Sequence, residues 1–259
     1  MIAGELDLSF PSVMAISGFA FAECFLRTGN PGFGFVLALA TGGVAGLLNG
    51  VIVVKIGVPS IIATIGTQFF WRGLSALLAA GLARNIATVR ESSFHQLFVG
   101  RLDGGIPAQA LWCLVCAVLL ALLLNRHVLG GHILFVGDNI RAARLNGINT
   151  DRVRLLLFVM MGLVSAFVSV LICLEMGNWW PTQGEGYLLL VFAAIFIGGT
   201  SVFGGRGTLY GTLIGAVIIG IIEAGIISAG YSGFWTRLVH GFIIVASVSI
   251  YALIFRTGR

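Results

Sequence analysis

Runs of about 20 consecutive apolar residues recur along nearly all of the 259 positions, and they constrain the fold more than any other feature of the chain. Each run is long enough to cross roughly 30 Å of hydrocarbon as a helix. Eight are read, at about Leu8 to Phe25, Phe33 to Ile56, Pro59 to Leu82, Pro107 to Asn125, Val153 to Met176, Tyr187 to Phe203, Leu209 to Ala229 and Gly233 to Phe255. Backbone groups in lipid must be satisfied within the chain, and barrel strands would alternate in units of roughly ten residues, so the expected fold is an all-α polytopic transmembrane helical bundle. Polar and Gly residues interrupt Pro59 to Leu82 and Tyr187 to Phe203, so either is open to being broken or re-entrant. With 58% hydrophobic and 10% charged residues, too few charges remain to cover a soluble domain of this size, while 37 glycines suit closely packed membrane helices.

Basic residues and aromatic belts orient the bundle. The one long polar island, Arg126 to Arg154, separates the fourth and fifth segments. Placed on the cytoplasmic side, it brings Lys55, Arg126, Arg141, Arg144, Arg152, Arg154, Arg206, Arg256 and Arg259 inside, against Arg27, Arg84, Arg90 and Arg101 outside. The same arrangement gathers Trp112, Trp179, Trp180, Tyr187, Tyr231 and Trp235 at the outer interface, where amphipathic rings prefer to sit.

Several function classes lack their chemistry. A P-loop needs a Lys followed by Ser or Thr after a Gly-rich turn, yet the only lysine, Lys55, is followed by Ile56. No HExxH, GxSxG or strand-to-helix GxGxxG occurs, and His95, His127, His132 and His240 are scattered, so neither an enzyme nor a metal site is expected. Cys24, Cys113, Cys116 and Cys173 lie in apolar runs and read as buried packing residues. Nothing points to nucleic acid. No basic start precedes an apolar core as in a cleavable signal peptide, and Glu5 and Asp7 stand almost at the first segment, which suggests further N-terminal helices upstream or a misassigned start.

The island has internal punctuation. Gly137-Asp138-Asn139 supplies a turn and an N-cap, Ile140 to Asn146 a short helix, and Asn146-Gly147 a left-handed stop. Thr150 can cap the next helix and Asp151 complements its positive end. The expected product is a stubby surface helix between two spans, with Ala142 and Ala143 permitting close approach and Arg141 and Arg144 available to acidic groups of a partner. An ordinary positive-inside loop accounts for the same charges. Around Arg206, GGTSVFGGRGTLYGT carries six glycines. It reads as a tight helix-loop-helix, since phosphate cradling would want a Lys and a preceding strand. On the other side, Arg84 to Gly105 and Trp179 to Tyr187 form polar loops bearing Arg84, Arg90, Glu91, Arg101, Asp103 and Glu185. These loops suit either a binding protein's rim or plain solvent.

GHILFVGDNIRAARLNGINTDRVR, followed by PTQGEGYLLLVFAAIFIGGTSVFGGRGTLYGTLIGA, resembles the membrane permease of ribose-type ABC importers, which take up simple sugars or sugar alcohols. GELDLSFPSVMAISG and GLLNGVIVVKIGVPSIIATIGTQFFWRGL resemble the N-terminal part of that family, so the likeness covers nearly the whole chain in order and spacing. It implies a single permease domain over 1–259, with a cytoplasmic coupling loop at 126–152, in the bacterial inner membrane. The implied partners are a second permease subunit, identical or not, cytoplasmic ATP-binding subunits and a periplasmic sugar-binding protein. ATP and Mg would be used by the partner, and this chain would hold no cofactor. Carried over residue by residue, Asp138, Asn139, Arg141, Ala142, Ala143, Arg144, Gly147 and Ile148 would form the ATPase contact. The related Glu-Ala-Ala-x-x-x-Gly signature is matched at Ala142, Ala143 and Gly147, with Arg141 in the Glu position.

Alternating access is the mechanism this implies, the short helix moving as a rigid unit so that a central cavity opens outward and then inward. A neutral polyol needs a weakly binding lining of hydroxyl, amide and aromatic groups. Asn49, Thr67, Gln68, Phe70, Arg72 and Glu223 are the candidates. An intramembrane charge is a functional site by default, although Arg72 and Glu223 pairing or satisfying broken backbone is an equal alternative. IIEAGIISAG around Glu223 resembles a subgroup for substrates other than ribose. A secondary transporter or channel, which would show inverted repeats, and a truncated nonfunctional copy are the other readings.

Overall fold

The structure is a computed structural model and describes residues 1–102, 104–201 and 204–256. Asp103, Phe203 at the end of the sixth apolar segment, and Arg259 lie outside the described residues. Eleven α-helices are present among those described, namely α1 (Phe10–Thr28), α2 (Pro31–Val51), α3 (Ser60–Leu78), α4 (Ser93–Val99), α5 (Ala108–Arg126), α6 (Val128–Asp138), α7 (Ile140–Leu145), α8 (Thr150–Met176), α9 (Tyr187–Ile197), α10 (Leu209–Ser228) and α11 (Gly233–Arg256). A π-helical turn, Ile52–Ile56, prolongs α2, and a 3-10 helix, Ala87–Glu91, precedes α4. Two short strands, β1 (Arg84–Asn85) and β2 (Asn178–Trp179), pair antiparallel with Arg84 opposite Trp179.

Local chemistry sets the boundaries. At the α1–α2 corner, Gly29 takes a left-handed φ of 69° and its N–H closes on Phe25 O. Asn30 then caps α2 by accepting from the N–H groups of Gly32 and Phe33, and Pro31 fills a position that needs no donor. Six helices among the described residues are long and apolar enough to cross a membrane, these being α1, α2 with its π turn, α3, α5, α8 and α10. The 24-residue α11 occupies the last apolar segment. Two expectations change. The Pro59 to Leu82 segment forms one unbroken helix, whereas the described part of Tyr187 to Phe203 yields only the 11-residue α9. At about 1.5 Å per residue α9 spans roughly 16 Å, too short to cross alone. The helix α6 was also not foreseen; its apolar residues sit in what reads as a polar island.

The chain divides into two compact units. The larger comprises Leu6–Cys116 and Asp151–Glu185, the smaller Met1–Glu5, Ala117–Thr150 and Gly186–Arg259. In the larger, α1 is buried along most of its length, its Phe19, Phe21 and Phe25 forming a core with Val170 and Leu174 of α8 and with Trp179. Helices α2 and α8 meet backbone to backbone, since a Cβ on Gly42 would lie 2.4 Å from Gly162 O and one on Gly46 would lie 2.3 Å from Phe158 O. Only glycine permits that approach, the small-xxx-small pattern of membrane helix pairs. Phe98 of α4 stacks on Trp112 of α5 with ring centroids 5.1 Å apart, and Arg90 of the 3-10 helix donates to the C-terminal carbonyls of Glu175 and Met176 on α8. The polar stretch after Arg84 is thus a structured cap.

In the smaller unit α9 packs on α10 and α11 through Ala193, Ala194 and Ile219, with Leu190, Ile243 and Ile244 around them. A Cβ on Gly215 would sit 2.1 Å from Ala194 O, and one on Gly211 would sit 2.1 Å from Gly198 O. The α9–α10 register is therefore fixed by glycine.

Candidate functional site

The short helix α7 is built from local signals. Asn139, in extended conformation, closes α6 with its N–H on Phe135 O and opens α7 with its Oδ1, which accepts from the N–H groups of Arg141 and Ala142 at 3.0 Å each. At the far end Gly147 takes a φ of 79°, and the N–H of Ile148 closes on Ala143 O at 3.1 Å. Ala143 is buried, while Asp138, Asn139, Arg141, Ala142, Arg144 and Gly147 are exposed and Ile148 is half-buried. Leu145, not among the sequence candidates, is 90% exposed at the tip. Thr150 is the first residue of α8, and its buried hydroxyl accepts from Arg144 Nε at 2.8 Å. Arg144 therefore has one guanidinium edge turned inward, not wholly toward a partner.

Behind α7 the Gly-rich segment makes a backbone knot. Gly204 and Gly205 take φ values of 86° and 71°, and Gly205 N–H donates to Ile2 O at 2.8 Å. A Cβ on Gly137 would lie 1.8 Å from that same Ile2 O, and one on Gly205 would lie 2.9 Å from Asp138 Cα. The loop that joins α9 to α10 thus lies directly against the base of α7, all within the smaller unit.

The pathway candidates are dispersed. On α2, Asn49 is fully buried and donates from Nδ2 to Ser9 Oγ at 2.7 Å, which in turn donates to Asp7 Oδ1 at 2.7 Å. Asn49 Oδ1 has no partner. Desolvation pushes the half-buried Asp7 carboxyl above its usual range, against the lowering effect of its bonds to Ser9 and Asn49. On α3, Thr67 and Gln68 are half-buried, whereas Phe70 is exposed with its ring edge-on to Trp71 at 4.9 Å. Glu223 is half-buried on α10 in the smaller unit, near enough to the Tyr187 phenol to act on it electrostatically.

Arg72 holds together a feature that the sequence did not reveal. Its Nη1 donates to Pro181 O at 2.7 Å and to Gln183 O at 2.8 Å, and Nη2 donates to Pro11 O at 3.1 Å. Fully buried Gln183 donates from Nε2 to Ser169 O and Oγ at 3.0 Å, while Ser169 Oγ donates to Met14 O at 2.6 Å. Trp179 Nε1 donates to Ala15 O at 2.9 Å, and the indole packs edge-on against Phe19. Trp179 is therefore wholly buried, correcting its assignment to an interfacial belt, where its polar N–H would have faced water. The turn after β2 is inserted among α1, α3 and α8, and each polar group named here is satisfied by side chain or backbone. Irregular backbone buried among membrane helices is tolerated when its polar groups are met in this way. The only local hint was Pro181 and Gln183 between two aromatics and two glycines. Cys173 is buried as expected, but Cys113 is exposed on α5.

A family profile described as branched-chain amino acid transport system / permease component matches residues 1–248. The chain is 32% identical over 248 residues to the ribose import permease protein RbsC of Bacillus subtilis (strain 168), covering 96% of this chain and 76% of that protein. It is likewise 32% identical over 248 residues to the L-arabinose transport system permease protein AraH of Escherichia coli (strain K12), covering 96% and 74%. The fructose import permease protein FrcC of Rhizobium meliloti is 29% identical over 259 residues, covering 96% and 71%. No solved structure matches significantly.

Proposed function

Since this chain belongs to the branched-chain amino acid transport system / permease component family, we propose that it is the membrane-spanning subunit of an ABC importer for a simple sugar or sugar alcohol. It is a multi-pass protein of the bacterial inner membrane, and the work of transport comes from separate ATP-binding subunits. A second permease subunit and a periplasmic sugar-binding protein complete the assembly. The observation that carries this reading is α7, a capped helix of 6 residues that exposes Arg141, Ala142 and Leu145 between two apolar helices. A surface helix with a nearly fully exposed leucine is suited to a complementary pocket on a soluble partner.

In this reading, Asp138 to Ile148 is the coupling element. Closure of the ATPase dimer displaces α7, and the Gly137–Gly205 knot passes the displacement to the α9–α10 hairpin, because backbones in van der Waals contact have no slack between them. Arg141 in place of the usual Glu alters the charge presented to the ATPase, and Ala142, Ala143 and Gly147 keep the helix slim. Thr67, Gln68 and Glu223 remain the pathway residues of this proposal. Arg72 and Asn49 contribute by fixing the scaffold, since the Arg72 guanidinium donates to Pro11, Pro181 and Gln183 and the Asn49 Nδ2 group to Ser9.

Leu145→Asp tests the coupling role. Burial of a leucine is worth about 1.5–3 kcal/mol, so co-purification with the ATP-binding subunit should weaken roughly ten- to a hundredfold, with membrane insertion unchanged. Undiminished association, measured by pull-down from detergent-solubilised membranes, would remove α7 as the docking element.

A further inference from the structure

The seam between α9 and α10 ends on a pair of polar groups. Along α10 the row Gly211, Gly215, Ile219 and Glu223 repeats every four residues, the ridge that a helix presents to a packed neighbour. Gly211 lies against Gly198, Gly215 against Ala194, and buried Ile219 packs with Ala194 and Leu190. Continuing the same antiparallel register brings Glu223 level with Tyr187, the first residue of α9. The electrostatic interaction between the phenol and the carboxylate agrees with that placement. Both side chains stay accessible, Tyr187 at 39% exposure and Glu223 half-buried. Among the described residues Glu223 has no ion pair, although it sits about 21 Å along a membrane-crossing helix, where an uncompensated carboxylate is costly.

We propose that Tyr187 and Glu223 form a substrate subsite that takes vicinal hydroxyl groups of a polyol, Glu223 accepting two O–H donors and the Tyr187 hydroxyl both donating and accepting. The assignment rests on the reading that a sugar or sugar alcohol crosses this permease. It deepens that reading by adding Tyr187, which the sequence pattern had placed in an interfacial belt. A carboxylate and a phenol match neutral hydroxylated solutes well, because the acceptor capacity of one complements the two-way capacity of the other. Amino acid substrates fit poorly, since their own carboxylate would be repelled by Glu223. The fixed glycine register below the pair keeps the two groups from sliding apart.

The test is uptake of labelled ribose, arabinose and fructose by cells carrying the whole importer. Glu223→Gln should lower uptake of the accepted sugar about tenfold or more, as expected for losing a charged acceptor, and Tyr187→Phe about three- to tenfold. The double variant should be no worse than Glu223→Gln. In a second measurement Glu223→Cys, on a background lacking the native cysteines, should react with a water-soluble methanethiosulfonate and be protected by the accepted sugar. Unchanged uptake in both single variants, or a thiol at 223 that the sugar does not protect, overturns the subsite and leaves the importer reading standing. An intact importer that moves no simple sugar or sugar alcohol overturns that reading and the subsite with it.

Discussion

The turn around Gln183 and the loop around α7 are both short, polar and Gly-bearing, yet they are solved in opposite ways. At Gln183 the polar groups are turned inward and met by side chains up to 111 residues away, as with Arg72 on Gln183 O. At α7 the backbone is met locally by Asn139 and Gly147, and the side chains are left outside. A segment inserted among membrane helices has no water to fall back on, so it must be satisfied by the fold; one at the surface can keep its groups for another molecule. The contrast separates a segment built into the scaffold from one that leaves its side chains exposed.

The strongest way to break this contrast is Arg72→Met. Three carbonyls would lose donors in a region without water, at about 1–3 kcal/mol for each unsatisfied group, so the folded protein should be largely lost. Thermal unfolding in detergent is the measurement, and a melting temperature equal to that of the parent would show the turn to be held by other means. Asn139→Ala should act at the other pole, costing about 1 kcal/mol at one helix terminus. Its expected signature is a several-fold loss of uptake with an unchanged melting temperature. A drop in global stability instead would mean that α7 is part of the scaffold after all.

The smallest effect expected is that of pH on the cap after Arg84. Burial and the Arg90 guanidinium hold the His95 imidazole below its usual range, with Glu175 opposing. The folded cap therefore favours neutral His95, and that contribution is present above the unfolded value of about 6.5 and lost as pH falls through the folded one. Protease cleavage between Arg84 and Arg101 should accelerate modestly at pH 5, and His95→Gln should flatten the dependence.

The two regions also differ in how far the sequence disclosed them. Asn139 as a cap and Gly147 as a left-handed stop act within four residues of themselves, so their spacing was enough to delimit α7. Most long apolar runs became helices for the same reason, because length and composition decide whether a segment suits a bilayer. Arg72, Ser169, Trp179 and Gln183 meet only once the chain is folded, and nothing in their local spacing couples α3 to a turn more than 100 residues on. Trp179 was misplaced because an indole beside polar residues looks the same whether its N–H meets water or Ala15 O. The end of the 11-residue α9 was foreshadowed by Gly198 and Gly199 after it, but they left open whether the segment would kink or stop short.

The glycine contact between α2 and α8 has a mechanical consequence. With Gly42 and Gly162 carbonyls seated in each other's missing side chains, one helix cannot slip along the other without driving a methyl or larger group into a peptide plane. The two behave as a single plank. Flexure in that part of the molecule is then left to the joints at its ends, and Gly57, at a φ of 89° with open space around it, is the joint that follows α2.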